Sequence, residues 1–93
     1  MDFEWDQKKS DACFDDRGFD FAYVTAVFLD RRRLERVDDR KNYGETRFQT
    51  IGQISGKTYF VVYTVRRKRI RIISARRANA EEERAYRESL PRA

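Results

Sequence analysis

Residues 46–80 read TRFQTIGQISGKTYFVVYTVRRKRIRIISARRANA. The stretch contains no Asp or Glu but nine basic residues: Arg47, Lys57, Arg66, Arg67, Lys68, Arg69, Arg71, Arg76 and Arg77. It also holds the most strand-like residues of the chain. In residues 58–66, Tyr59, Val61, Tyr63 and Val65 alternate with Phe60, Val62 and Thr64. Both faces of that strand are largely apolar, which predicts a central position in a sheet. Residues 46–54 form a strand before it, across a Ser55-Gly56 turn, and residues 69–75 form one after it. In the last strand Ile70 and Ile72 share one face, with Arg69 and Arg71 opposite. A sheet carrying this much positive charge is suited to meet a polyanion. RNA is the leading candidate, because Lys and Arg supply most of the affinity for phosphate backbones.

Outward from this block the pattern turns helical. Phe21, Val24, Val27 and Phe28 recur at spacings of three and four, which predicts a helix over residues 21–29 capped by Asp20. A first helix is predicted over residues 6–16, with Asp6 as cap, Lys9 in the first turn and Gly18 at the break. Residues 30–43 are dense with charge and fit a short edge strand at 33–37 followed by a loop. Residues 80–89 make the last helix, with Asn79 as cap, three glutamates in the first turn and Pro91 beyond its end. The expected fold is α+β: two N-terminal helices, an antiparallel sheet of three to four strands and a C-terminal helix. Residues 1–93 are expected to form a single domain.

Charge is partitioned along the chain. Residues 1–45 carry 9 basic and 12 acidic side chains, residues 46–80 carry 9 and none, and residues 81–93 carry 3 and 4, so the net +5 resides in one segment. A charged surface kept for solubility is the plain alternative, but it accounts poorly for such segregation. Cys13 is the single cysteine and there is no histidine. This excludes an intramolecular disulfide and a Cys/His zinc site, and it fits a reducing, cytoplasmic home. The acidic N-terminus lacks the apolar region of a signal peptide. The longest apolar run, residues 59–63, is too short to cross a bilayer, so no membrane association is expected. The carboxylates show no metal-ligand spacing and the four glycines form no Gly-x-Gly, so neither metal nor cofactor is expected.

RNA can be cut without a metal, because its own 2′-hydroxyl attacks the phosphorus. The reaction needs a base, an acid and cations for the charge that builds on the phosphate. Without histidine, the acid–base candidates are Lys9, Glu45, Tyr63 and Tyr86. Each has a structural alternative: a solvated lysine, a glutamate paired to a nearby arginine, a core ring, and an anchor for the last helix. The cation candidates are Arg71, Arg76 and Arg77, which close the third strand of the block, together with Arg47 of the first. A strand edge protected by charge is the alternative there. These arginines are expected to converge on one concave patch.

Phe3-Glu4-Trp5-Asp6 with Lys9, Gly18 and Phe21, then Glu45-Thr46-Arg47, Ile51-Gly52, the block from Arg71 to Ala78, and finally Glu82 and Tyr86 resemble the BrnT toxins in order over nearly the whole chain. The resemblance implies a RelE-like fold and a type II toxin that cleaves mRNA and arrests translation. It also implies a BrnA antitoxin, a heterotetramer with two copies of each protein, and contact with promoter DNA only through the antitoxin. On this basis Lys9, Glu45, Arg47, Arg71, Arg76 and Tyr86 are expected to be catalytic, and Arg17, Arg69, Arg77 and Tyr63 to bind RNA. The chain departs from the family at Gln7, where Pro is usual, at Cys13, often Asn, and at Asp16-Arg17-Gly18, often Lys-His-Gly. Arg17 cannot replace an imidazole in proton transfer, but it can bind phosphate. A module that binds nucleic acid or an antitoxin without chemistry is the alternative function.

Overall fold

The computed structural model describes residues 1–91. Arg92 and Ala93, the end of the expected single domain, lie outside the described residues. The chain begins with a strand, β1 (Phe3–Trp5), followed by helix α1 (Gln7–Arg17). Next come a single helical turn, α2 (Phe21–Val24), and a 3-10 helix over Thr25–Leu29. Strands β2 (Leu34–Asp38), β3 (Arg47–Ile54), β4 (Lys57–Arg66) and β5 (Arg69–Arg77) follow, and α3 (Ala80–Ser89) completes the order. The five strands form one sheet in the order β1-β5-β4-β3-β2.

This arrangement corrects the expected one in two respects. The molecule is α+β, but its sheet has five strands and is mixed, because β1 pairs in parallel with β5 through Phe3↔Ile70, Glu4↔Arg71 and Trp5↔Ile72. The N-terminus also lacks a second full helix. The predicted helix over 21–29 keeps α-geometry only to Val24 and then tightens. The Thr25 hydroxyl donates to the Ala22 carbonyl, and Val24 and Val27, three residues apart and both 0% exposed, stack on one side as 3-10 geometry requires.

The helix ends follow their local chemistry. The Asp6 carboxylate accepts from the Lys8 and Lys9 N–H groups, and Gly18 closes α1 at φ 82°. Asn79 and Glu82 form a reciprocal capping box on α3. Phe21, Val24, Val27 and Phe28 pack with Tyr59, Val61, Tyr63, Ile72 and Ala75 on one face of the sheet. On the other face Tyr86 of α3 and Leu90 just beyond it pack with Ile51, Phe60, Val62, Leu34 and Ile73.

Strand β5 carries one irregularity. Thr64 faces Arg71 and Tyr63 faces Ile72, but Val62 faces Ser74, which leaves Ile73 as an extra residue. This bulge resets the alternation. Arg71 and Arg76, an odd number of residues apart, reach the same face, the one bearing α3, whereas Arg77 turns to the opposite face.

Candidate active site

Two features meet at β5, one on the α3 face and one at the strand's edge, where residues of both faces contribute. The first is a row of side chains crossing the whole sheet: Glu4, Arg71, Thr64, Arg47 and Asp38 are successive partners on β1, β5, β4, β3 and β2. With strands ~4.8 Å apart, the two arginines stand roughly 10 Å from each other. Arg71 Nη1 lies 2.8 Å from Glu4 Oε2. Arg47 lies across the Tyr43 ring at 4.2 Å and donates to Glu45 at 3.3 Å. Glu45 also receives a guanidinium fork from Arg66, with both contacts at 3.0 Å. These bonds, chiefly the one from Arg66, hold its carboxyl below the usual range and keep it ionised. Arg66 and Arg69 face each other one row further out.

The second feature is a groove. β1 pairs with β5 only as far as Ile72, and beyond it α1 closes the strand's edge, with Cys13 Sγ 3.6 Å from the Ala75 carbonyl oxygen. A cavity of about 490 Å³ opens there. Helix α1 contributes Lys9, Ala12, Cys13, Asp16 and Arg17, the loop after β2 contributes Arg40, and β4 and β5 contribute Phe60, Ser74 and Arg76. Arg76 stands 4.1 Å over the Phe60 ring and forks onto Glu82 at 2.8 and 2.9 Å. Burial works against the ionised form of Glu82, but the Arg76 fork and the Asn79 N–H outweigh it and lower its pKa. Arg40 is held in the same way by Asp38, with both contacts at 2.8 Å, and these bonds keep Asp38 well below the usual carboxylate range.

The residues predicted from sequence therefore separate into groups. Lys9, Arg17 and Arg76 line the groove. Arg47, Arg71, Arg69 and Glu45 belong to the charged end of the same face. Tyr86 lies beneath α3, 3% exposed, with its hydroxyl donating to Asp30 Oδ2; burial and that carboxylate push its pKa up to about 12. Tyr63 and Arg77 face the other way. Tyr63 packs between Phe28 and Phe48 with its hydroxyl on Glu35, and burial raises its pKa. Arg77 stands 5.4 Å over Tyr59. Asp16, Arg40 and Ser74 were not singled out from sequence. The spacing of Lys9, Ala12, Cys13, Asp16 and Arg17, one stripe of a helix, was the available signal for Asp16. Arg40 sits in a segment without periodicity and had none.

A small α+β fold with arginines and a lysine gathered at the edge and open end of one sheet face is suited to hold phosphodiesters. The family model described as "Ribonuclease toxin, BrnT, of type II toxin-antitoxin system" matches residues 5–82, and the chain belongs to that family. Its class is thus a ribonuclease toxin, with RNA as substrate and a cognate antitoxin as partner. A comparison with curated proteins returns no match. Among the described residues no helix is long and apolar enough to cross a membrane.

Proposed function

We propose that the protein cleaves mRNA without a metal ion, arresting translation, and that the scissile phosphate sits in the groove between α1 and β5. The observation that carries this reading is the meeting of Lys9, Arg17, Arg40 and Arg76, from three separate parts of the chain, around one cavity of about 490 Å³. In the reaction the 2′-hydroxyl gives its proton to the Asp16 carboxylate and attacks the phosphorus. The bond to the 5′-oxygen breaks, and that oxygen takes a proton from the Lys9 ammonium. The products are a 2′,3′-cyclic phosphate and a 5′-hydroxyl. Arg76, Arg17 and Arg40 meet the charge that builds on the phosphate, where one lost donor costs up to about 4 kcal/mol. Arg71, Arg47 and Arg69 bind flanking phosphates along the same face. Glu45 acts there as a counter-ion for Arg47 and Arg66, and Tyr86 positions α3 through Asp30.

The antitoxin in this reading is BrnA-type, assembles as two copies of each chain, and brings the complex to promoter DNA through its own contacts. An mRNA substrate implies a cytoplasmic home. The test is RNA cleavage by purified toxin in the presence of a chelator. Arg76→Ala and Arg71→Ala each slow cleavage about tenfold or more, on the order of 1.4 kcal/mol, with the fold intact. Wild-type rates from both variants would overturn the assignment. The ion pairs of Arg71 with Glu4 and Arg76 with Glu82 favour one second reading, a module that holds RNA without cutting it. In that case binding weakens steeply with salt while the RNA stays intact.

A further inference from the structure

On the opposite side of Arg17 a second cavity, of about 450 Å³, opens on the face that bears α1 and α2. Its apolar lining is aromatic. Phe19 meets Tyr59 edge-on at 5.1 Å, and Tyr23 meets Tyr59 at 5.9 Å and 69°. Tyr23 is 42% exposed and Phe14 56%, so ring surface is left open to solvent. Arg17, Lys57 and Arg77 surround these rings. The carboxylate in the same lining, Asp20, is occupied in part by the Tyr23 N–H at 2.9 Å. Single-stranded nucleic acid is held by open aromatic faces beside cations, because every base has a π-face and every linkage a charge. An amphipathic peptide would need aliphatic side chains in the lining, and among the described residues this cavity has none. Arg17 lines both this cavity and the groove, so the two adjoin at the end of α1.

We infer that this cavity is a second nucleotide subsite, in which an unpaired base flanking the cleaved linkage stacks on Tyr23 and Phe14 while its phosphate rests between Arg17, Lys57 and Arg77. The inference rests on the reading of the groove as the active site. It makes the protein selective for unpaired RNA, because a base held in a duplex cannot reach the rings.

The experiment is cleavage kinetics on an unstructured RNA of roughly twelve nucleotides, with antitoxin binding measured in parallel. Tyr23→Ala raises KM about tenfold, within the range for loss of one stacked base, and leaves kcat unchanged. Tyr23→Phe keeps the ring and behaves as wild type, which assigns the effect to the ring and not the hydroxyl, while the unchanged kcat of Tyr23→Ala separates stacking from folding. The same RNA annealed to its complement shows no difference between wild type and Tyr23→Ala. An unchanged KM for Tyr23→Ala overturns the subsite while leaving the groove reading standing, and so does a defect confined to antitoxin binding. A wild-type protein that cuts no RNA removes the groove reading and the subsite together.

Discussion

The two faces of the sheet are built from alternate residues of the same strands, yet they serve different ends. The face toward α1 and α2 is closed over its core: Val61 and Val24 are 0% exposed, Ile72 1% and Phe28 4%. The face toward α3 is covered at one end only, over Leu34, Ile51, Phe60 and Ile73, and its other end carries the row from Glu4 to Asp38. Stability therefore concentrates on one side of β4 and β5, and in the proposed reading the phosphate-binding row lies on the other. The largest expected effect tests the closed side. Ile72→Ala costs about 3 kcal/mol of stability, read from the urea midpoint, while cleavage per folded molecule is unchanged. A loss of activity in molecules that remain folded would mean that the two faces are not separable.

The bulge at Ile73 is what allows the faces to differ in this way. In a regular strand Arg76 would share its side with Arg77's present neighbours, and Arg77 would join Arg71. Deleting Ile73 removes the extra residue and leaves Arg76 opposite Phe60, so Arg71 and Arg76 keep one face through regular alternation and cleavage stays within a few-fold of wild type. The stability loss is smaller than that of Ile72→Ala, because Ile73 is only half-buried. A roughly hundredfold loss of cleavage from deletion variants that remain folded would show that the bulge shapes the groove itself and does more than set the side on which Arg76 lies.

Arg76 and Arg77 sharpen the contrast further, being neighbours in sequence on opposite faces. Arg76→Ala lowers kcat about tenfold, or 1.4 kcal/mol. Arg77→Ala leaves kcat unchanged and raises KM a few-fold, since one exposed phosphate contact contributes little. Steady-state kinetics on one RNA distinguish the two outcomes. Equal effects on kcat would place both guanidinium groups at the same phosphate and contradict the register.

How much of this was legible in the sequence follows from the range of the interactions. Strands β3, β4 and β5 and helix α3 were readable because their signals are local: alternation over a few residues, a Ser55-Gly56 turn, an Asn79 cap. β1 was not, because Phe3–Trp5 is three residues long and its partner, Ile70–Ile72, lies at the far end of the chain. The helical spacing of Phe21, Val24, Val27 and Phe28 correctly marked a buried face, but repeats of three also suit a 3-10 helix, so it could not fix the helix type. The expected convergence of Arg71, Arg76 and Arg77 on one patch is not met: Arg77 takes the other face, because a bulge leaves no mark in a run of isoleucine, serine and alanine, and Arg71 shares the face of Arg76 without lining the groove. Lys9, an acid–base candidate from the absence of histidine, and Arg17, which came with the family resemblance, share a cavity with Arg76, whereas Arg40 reaches that cavity from a loop whose path depends on Asp38.

The smallest expected effect concerns that last pair. The side chain of Asp38 is 0% exposed beneath a guanidinium that is itself 59% exposed, and Tyr43 donates to the same carboxylate at 3.2 Å. Because the bonds from Arg40 depress the folded-state pKa of Asp38, its contribution to stability is fully present above the unfolded value of about 3.9. It is lost as pH falls from there toward the folded value. Arg40 stays charged throughout, so the sign is set by the carboxylate alone. Asp38→Asn therefore flattens the acid limb of stability against pH, by no more than about 1 kcal/mol given the solvent around Arg40. Cleavage falls more than stability does, because a released Arg40 no longer points at the groove. Should Asp38→Asn instead cost as much stability as Ile72→Ala, the charged face would be part of what holds the fold together, and the division between the two sides of the sheet would no longer stand.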